Sequence, residues 1–419
     1  NQKSKELFDT DDFVFSYDYL SNLLQIDYNQ LLNLKQNHQQ YLDFAKSSTN
    51  SVFGPLDKEK KTSSRHDDNT NNKIQNGIVY VGGGKYSWLA LLSITQLRLT
   101  NSTTPVEVFI ATEEDYDQDF CETVLPTLNA HCNLLYKKLD ISIFTMNDIP
   151  LKGYQYKNLA LLISDFENIL FIDADNFPTK KVDSLFISKP FLKTGLVIWP
   201  DYWARTTNPN WYDIAGISFE KKIIRNLNYY KTKFPDKELN QIDTLKDANF
   251  HDLNNTLPNP TSESGMLLVN KKKHVKTLLL SLYYNVFGPT YYYPLFTQGS
   301  AGEGDKETFI ASAFTLNLPY YQLQKKFKWI GYHDENEKFN AKALGQYDPI
   351  IDYQNFENDV LFMHLSYPKL IPELLLEKQE LTKDDGSHRR LYIGMTESLG
   401  YDFELQVWQI FNGLLCKNY

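Results

Sequence analysis

The feature that most constrains the fold of this chain is a series of short apolar strands that alternate with helical segments. The hydrophobic pattern predicts a strand over residues 78–81, a turn at Gly82-Gly83-Gly84 and a helix over residues 85–99. It continues with strands over residues 106–111, 133–137 and 168–172 and with helices over residues 116–129 and 157–165. Such alternation predicts a mostly parallel sheet with helices on both faces, in which ligands bind beyond the carboxyl ends of the strands.

The composition allows a large folded domain preceded by a helical segment. Hydrophobic residues make up 42% of the 419 positions, which is enough for an extensive core. Residues 13–46 carry apolar side chains near helical spacing, whereas residues 47–73 are rich in polar residues and have too little apolar surface to fold alone. We therefore expect a helical stem and polar linker over residues 1–74 and one α/β domain over residues 75–419.

The charge balance argues against nucleic acid as a partner. The formal net charge is −9 and no basic stripe is visible, whereas neutralisation of phosphates dominates nucleic-acid binding. An acidic protein that binds an anionic ligand needs a local cation, which favours a bound metal. Residues 277–302 lack charged side chains, but Gly288, Pro289 and Pro294 interrupt them, so a helix and loop are predicted rather than a membrane span.

Three cysteines and two glycosylation sequons bear on the compartment. Cys121 and Cys132 can pair in an oxidising compartment, leaving Cys416 unpaired, or they can remain buried free thiols. Asn101 and Asn254 each begin an acceptor sequon for N-glycosylation. In a chain so rich in Asn these sequons support a secretory location only weakly.

Two carboxylates, Asp173 and Asp175, follow the strand predicted over residues 168–172. This spacing lets one carboxylate hold a hard cation while the other orients a water or a sugar hydroxyl, although a solvated turn uses the same residues. His364 ends another apolar run and can complete an oxygen and nitrogen site suited to Mn²⁺, although a lone His in such a place is more often structural. Lys369 can reach a phosphate as a point charge.

Two glycine-containing motifs are less specific. The turn at Gly82-Gly83-Gly84 lets backbone N–H groups approach a base or a diphosphate, but it lacks the G-x-G-x-x-G fingerprint. The run GEGDKE over residues 302–307 precedes a helix predicted over residues 308–316. Its Asp305 is a good helix N-cap, or its carboxylate faces a reacting sugar.

Six segments occur together in an order that resembles a known family. The chain resembles the fungal Golgi α-mannosyltransferases that branch cell-wall mannan, most closely the α-1,2-mannosyltransferases that add the first branching mannose to the α-1,6-linked backbone. The resemblance covers residues 77–370 and rests on YVGGGKYSWLALLSI, YQYKNLALLISDFENILFIDADN, WPDYW, ESGMLLVN, GDKETF and FMHLSYPK.

This resemblance implies a GT-A fold, a single Rossmann-like α/β domain that uses a D-x-D motif, Mn²⁺ and GDP-mannose. It implies that the metal ligands are Asp173, Asp175 and His364, with Asp173 also holding the ribose. The remaining donor-binding residues are expected to be Gly82, Gly83, Gly84, Lys85, Lys157, Ser264, Gly265 and Lys369. The expected catalytic carboxylate is Asp305 or Glu263, and the expected acceptor wall is Trp199, Asp201 and Trp203.

The implied reaction transfers mannose with retention of its α configuration. Two mechanisms fit: attack by Asp305 or Glu263 to give a covalent mannosyl-enzyme, or deprotonation of the acceptor hydroxyl by the leaving phosphate on the same face. Alternative functions are an α-1,3-mannosyltransferase, a transferase with another nucleotide-sugar donor, and a noncatalytic subunit of a mannan polymerase complex.

The resemblance also implies a cellular setting. The expected location is the Golgi lumen, as the lumenal part of a type II membrane protein whose signal-anchor lies upstream of Asn1. The expected acceptor is a mannan oligosaccharide on glycoproteins, and the oligomeric state is left open.

Overall fold

The centre of the molecule is a seven-stranded sheet with the strand order β10-β6-β9-β4-β1-β2-β3. This computed structural model describes residues 13–47, 75–139, 151–355, 357, 359–383 and 385–416. The strands are β1 Asn76–Val81, β2 Val106–Ile110, β3 Ala130–Leu134, β4 Asn168–Ile172, β5 Asn176–Pro178, β6 Leu196–Pro200, β7 Glu220–Ile223, β8 Leu253–Asn254, β9 Ser262–Asn270, β10 Tyr321–Gln322, β11 Lys328–His333, β12 Phe339–Tyr347 and β13 Val360–His364.

Helices pack against both faces of this sheet, and two separate apolar cores form between the layers. The α-helices are α1 Tyr17–Leu23, α2 Tyr28–Ser47, α3 Lys85–Leu99, α4 Leu125–Thr127, α5 Leu135–Lys138, α6 Gln155–Ile163, α7 Lys189–Thr194, α8 Pro209–Ile214, α9 Leu227–Lys233, α10 Lys271–Val286, α11 Tyr293–Thr297, α12 Lys306–Thr315, α13 Pro349–Gln354, α14 Pro372–Lys378, α15 Thr396–Leu399 and α16 Phe403–Cys416.

The sheet is mostly parallel, as predicted. Strand β1 runs parallel to β2 and β4, and β2 runs parallel to β3. Strand β9 is the exception, because it lies antiparallel between β4 and β6. The start of β9 therefore meets the end of β4, and Asp173 N donates to the carbonyl oxygen of Gly265 at 2.8 Å. This pairing brings a non-local segment to the sheet edge that carries the D-x-D motif.

A second sheet, with the order β11-β12-β13-β5, extends the same edge. All of its strand pairs are antiparallel, and His364 at the end of β13 lies opposite Asn176 at the start of β5. Because Asn176 directly follows the D-x-D motif, this register brings His364 to the two aspartates. Leu365 N fixes the arrangement by donating to the carbonyl oxygen of Asp175 at 2.9 Å.

The region between β2 and β4 departs from the predicted element bounds. The helix predicted over residues 116–129 is a π-helix over Asp119–Val124 that continues into α4. The bounds predicted for the next strand, residues 133–137, are wrong. Strand β3 covers Ala130–Leu134 and is followed by α5. A disulfide between Cys121 and Cys132 joins the π-helix to β3, so the pairing that was left open is the one formed.

The described part of the predicted stem packs onto the α/β domain. Two helices, α1 and α2, replace the single run predicted over residues 13–46. The buried His38 hydrogen-bonds Tyr284 OH at 2.7 Å, and the ring of Tyr41 stacks on Tyr283 at 4.4 Å. Both tyrosine partners lie in α10. The linker predicted over residues 47–73 lies outside the described residues, apart from its first residue.

The charge-free run over residues 277–302 forms helices and loops, as predicted. It comprises most of α10, a π-helical turn over Gly288–Tyr292 and α11. Among the helices that the structure describes, none combines the length and the apolar character that crossing a bilayer requires.

Leu42→Ala tests whether α2 is part of the folded domain. Leu42 is 5% exposed, and its truncation should lower the free energy of unfolding by about 2–4 kcal/mol because a cavity is left behind. Leu32→Ala on the same helix is the matched control, because Leu32 is 44% exposed and its loss should change stability by less than about 0.5 kcal/mol. Urea unfolding measures both, and equal midpoints would show that α2 is not docked.

Candidate active site

The D-x-D motif is held rigidly between two strands at the sheet edge. The side-chain amide of Asn176 donates to the carbonyl oxygen of Gly265 at 3.0 Å. A Cβ atom on Gly265 would lie 3.0 Å from both Asn176 Nδ2 and Glu263 Oε1, so any larger residue would push these two side chains away. Asp175 is buried, while the side chain of Asp173 is 34% exposed. The motif therefore presents one buried carboxylate and one that solvent reaches.

His364 lies between two carboxylates. Its Nε2 atom is 3.6 Å from Asp175 Oδ1, and its Nδ1 atom is 3.3 Å from Glu263 Oε2. The other oxygen of Glu263 accepts a hydrogen bond from the backbone N–H of Gly265 at 2.7 Å. Lys369 contacts Oδ2 of Asp175 from the solvent side. These contacts place the predicted residues Glu263, Gly265, His364 and Lys369 beside Asp175.

The charges in this group stabilise one another. Burial alone would lower the pKa of His364, but Glu263 and Asp175 outweigh burial and hold that pKa well above its ordinary value. Burial alone would raise the pKa of Asp175 and of Glu263, but His364 outweighs it and holds both values below the ordinary range. The two carboxylates therefore favour the protonated imidazole, which is their counter-charge when no metal is bound.

Lys157 occupies the centre of a second charged group. Its ammonium lies 3.0 Å from Asp305 Oδ2 and 3.3 Å from Asp173 Oδ2, and it donates to the carbonyl oxygen of Ser264 at 2.8 Å. Ser264 Oγ also donates to Asp305 Oδ1 at 3.1 Å. Burial alone would lower the pKa of Lys157, but Asp173 and Asp305 hold it above its ordinary value. The ammonium that was predicted to contact the donor is therefore directed at carboxylates.

Asp305 does not act as a helix cap through its side chain. It occupies the N-cap position of α12, yet no side-chain capping bond forms there, and only its carbonyl oxygen accepts from Thr308 N, at 2.9 Å. Its carboxylate instead pairs with Lys157 and accepts a hydrogen bond from Ser264. The structure therefore does not show the side-chain cap, and the role of this carboxylate at a reacting sugar stays a prediction.

The two residues after Asp305 form buried ion pairs that hold the start of α12 in place. Lys306 forms a 2.5 Å ion pair with Asp201, and Glu307 pairs with the fully buried Arg205. Glu307 Oε1 also accepts from the backbone N–H of Ser262 at 2.7 Å, which ties α12 to the start of β9. Sequence reasoning singled out the run that contains Glu307 but missed Arg205, because nothing local in the sequence indicates that these two charges meet in the interior.

The glycine turn lies at the carboxyl end of β1, as predicted. Gly83 and Gly84 have φ values of 111° and 52°, a region that favours glycine. Gly83 N donates to Ser87 Oγ at 2.9 Å at the start of α3. Lys85 is exposed, and its ammonium lies 5.7 Å from the centre of the Tyr86 ring.

Asp115 lies against this turn and was not predicted. A Cβ atom on Gly83 would lie 3.0 Å from Asp115 Cγ, and Asp115 Oδ2 accepts from Thr112 Oγ1 at 3.0 Å. The side chain is partly exposed. The available signal was its place just after β2, since the ends of adjacent parallel strands share one edge.

The predicted acceptor wall is only partly at the surface. Trp199 is fully buried, donates from Nε1 to the carbonyl oxygen of Tyr347 at 2.8 Å and packs edge-on against Phe362. Trp199 is therefore a core residue, and its assignment to the wall is corrected. Asp201 is engaged by Lys306, while Trp203 is partly exposed.

The chemistry of Asp175, His364 and Asp173 fits Mn²⁺. Carboxylate oxygen and imidazole nitrogen suit this cation better than Mg²⁺. Asp175 and His364 already face each other, whereas the Asp173 carboxylate is turned toward Lys157. Within the described ranges, no three His, Cys, Asp or Glu side chains are already arranged to hold an ion. Metal binding would also release the proton held by His364.

Comparisons with known proteins identify the family. A family model described as "Mannosyltransferase putative" matches residues 75–348. The alpha-1,2-mannosyltransferase MNN2 of Candida albicans is 47% identical over 434 aligned positions, which cover 100% of this chain and 71% of that protein. The alpha-1,2-mannosyltransferase MNN2 of Saccharomyces cerevisiae is 39% identical over 388 positions, which cover 82% of this chain and 64% of that protein.

Among solved structures, the galactosyltransferase LgtC in complex with donor and acceptor sugar analogs matches 81% of this chain and 95% of its own, with 11% identity and a TM-score of 0.38. The α/β fold class rests on the topology described above, a mostly parallel sheet with helices on both faces, which agrees with the expected GT-A type. Because the family model covers more than half of the chain and both relatives are similar over most of it, the chain belongs to the mannosyltransferase family of fungal glycosyltransferases.

Proposed function

We propose that this chain is a retaining α-1,2-mannosyltransferase. It transfers mannose from GDP-mannose to the α-1,6-linked backbone of mannan on N-glycans and adds the first branching mannose. The observation that carries this proposal is the gathering of Asp173, Asp175, His364, Glu263 and Asp305 at one edge of the sheet. The linkage follows the names of the relatives, both of which are alpha-1,2-mannosyltransferases.

The position of Asp115 supports a guanine nucleotide. The edge of guanine offers a ring N–H and an amino group as adjacent donors, and a carboxylate is an acceptor with two oxygens. Asp115 lies beside the glycine turn that is expected to hold the nucleoside, and among the described residues only its Oδ2 atom accepts a hydrogen bond, from Thr112. Uracil has a single ring N–H between two carbonyls, so it would leave the carboxylate poorly matched.

The diphosphate is expected near Asp175, His364 and Lys369. In this proposal Asp173, Asp175 and His364 would hold Mn²⁺, which would supply positive charge against the negative charge that develops on the β-phosphate. Lys369 adds a second positive charge, because its ammonium already lies at Asp175 and its side chain is 34% exposed. Lys157 keeps the neighbouring carboxylates of Asp173 and Asp305 in place.

The surroundings of the two candidate carboxylates favour attack on the same face. Both Glu263 oxygens are engaged, by Gly265 and His364, and Asp305 is 4% exposed and bound to Lys157. These contacts favour a role for both carboxylates in stabilising charge over direct attack on the sugar. The bond between the anomeric carbon and the phosphate breaks, the acceptor oxygen bonds to that carbon, and its proton passes to the departing phosphate. The two carboxylates stabilise the positive charge that builds on the sugar.

The proposed compartment is the Golgi lumen. The disulfide between Cys121 and Cys132 is what an oxidising compartment favours. A signal-anchor upstream of Asn1 and glycans on Asn101 or Asn254 belong to this proposal.

The first test measures transfer from GDP-mannose to α-1,6-mannobiose with Mn²⁺ and with EDTA. Wild type should form an α-1,2-linked product only with the metal. Asp175→Asn should lower kcat at least about 100-fold, because several kcal/mol of charge stabilisation depend on this carboxylate. Asp213→Asn is the control, since Asp213 is 54% exposed and pairs only with Lys35 among the described residues. Turnover of Asp175→Asn near that of wild type, or transfer in EDTA, would contradict the proposal.

The second test concerns the donor base. Calorimetry should show GDP binding tighter than IDP, which lacks the 2-amino group, and tighter than UDP. Asp115→Asn should weaken GDP binding by roughly tenfold and largely remove the preference over IDP, because a hydrogen bond to a charged group contributes about 1.5–3 kcal/mol. Glu114→Gln, an exposed neighbour, should change neither value. An unchanged ratio of GDP to IDP affinity in Asp115→Asn would show that Asp115 does not contact the base.

A further inference from the structure

Four aromatic side chains form a surface cluster, here called the aromatic platform, beside the charged groups. The ring of Tyr202 lies 4.8 Å from that of Trp203, 5.0 Å from that of Trp329 and 5.8 Å from that of Phe327. Phe327 and Trp329 are themselves 5.0 Å apart, and all four contacts are edge-on. Trp329 is 43% exposed, and the other three rings are partly exposed. The platform is therefore not part of the buried core.

The backbone explains why Trp329 faces outward. It lies in β11 between Lys328 and Ile330, and alternate residues of a strand point to opposite faces. Ile330 is 1% exposed and packs inside, so Trp329 points to the outer face. The Trp329 side chain contributes little to the stability of the fold, because nearly half of its apolar surface stays exposed to water.

The platform adjoins the candidate catalytic carboxylates. Tyr202 directly follows Asp201, whose carboxylate pairs with Lys306, the residue after Asp305. The carbonyl oxygen of Trp203 accepts from Thr261 N at 2.9 Å, two residues before Glu263. Tyr202 and Trp203 are thus connected to the segments that carry both carboxylates, and an acceptor chain that extended toward them would meet the rings.

The two buried cations next to the platform are already paired. Lys306 is neutralised by Asp201, and Arg205 by Glu307. The platform itself offers a ligand ring surface, which suits a molecule with apolar patches. A hexose has such patches in the C–H groups on one side of its ring, and its hydroxyl groups can stay in water.

We propose that the aromatic platform is an acceptor subsite that binds a mannose of the α-1,6 backbone away from the one that receives the branch. This inference rests on the proposed function. It assigns Tyr202, Phe327 and Trp329 to the recognition of acceptor length. Because the bound mannose is remote from the reacting carbon, it stabilises the ground state and the transition state equally, and its loss raises KM while kcat is unchanged.

The test compares Trp329→Ala with wild type on α-1,6-mannobiose and α-1,6-mannohexaose. For the hexaose KM should rise about tenfold, as expected for the loss of one stacked ring, while kcat and the KM for mannobiose stay unchanged. Phe339→Ala is the matched control, since Phe339 is 42% exposed in the neighbouring strand β12 and contacts only His333 among ring partners in the described residues. It should leave both acceptors unaffected.

An unchanged KM for the hexaose in Trp329→Ala would overturn the inference, and so would an equal loss on both acceptors. If wild type transfers to neither acceptor, the proposed function fails, and direct calorimetry of mannohexaose binding then decides on the subsite alone. Binding to wild type that weakens about tenfold in Trp329→Ala and not in Phe339→Ala would support the subsite. Binding of equal strength to all three proteins, or to none, would contradict it.

Discussion

The burial of the Lys157 ammonium between Asp173 and Asp305 is the interaction on which the rest of the site depends. The side chains of Lys157 and Asp305 are 5% and 4% exposed, so neither charge is solvated by water. Removing one partner of such a buried pair typically costs about 3–5 kcal/mol, because the other charge is left uncompensated. Lys157 lies in α6, Asp173 follows β4 and Asp305 precedes α12. The ion pairs therefore connect three elements at one edge of the sheet and couple the geometry of the site to folding.

An excess of negative charge shapes how this site can bind a nucleotide sugar. Asp173, Asp175, Glu263 and Asp305 lie together, and the positive groups among them are already paired with these carboxylates. A diphosphate that entered alone would meet repulsion, so the donor must arrive with a cation or displace Lys369 toward its phosphates. In the inference drawn above, the neutral acceptor would lie on the side of the aromatic platform, where rings are exposed. Donor and acceptor would thus approach from surfaces of different chemistry.

Local signals in the sequence predicted the elements that frame the site, and non-local pairing decided the rest. Helix α3 and strand β4 were predicted with the bounds that the structure shows, because a glycine turn and an apolar run mark them. The positions of Glu263 and His364 depend on β9 and β13, which pair antiparallel with distant segments. Only the family resemblance indicated Glu263, whereas the apolar run before His364 also marked that residue. Trp199 was misassigned because a tryptophan in a buried strand has no local mark that separates it from a surface one. Asp115 was missed because it stands in an acidic run, and only its packing on the glycine turn distinguishes it.

The central claim is that these carboxylates and His364 hold the cation that binds the donor diphosphate. The most direct measurement is a crystal structure of the protein with GDP and Mn²⁺, with anomalous scattering recorded on both sides of the manganese absorption edge. We predict one anomalous peak at bonding distance from Asp175 and His364, with the phosphates of GDP on its other side and the guanine beside Asp115. Bound GDP without an anomalous peak, or a peak away from Asp175 and His364, would contradict this account.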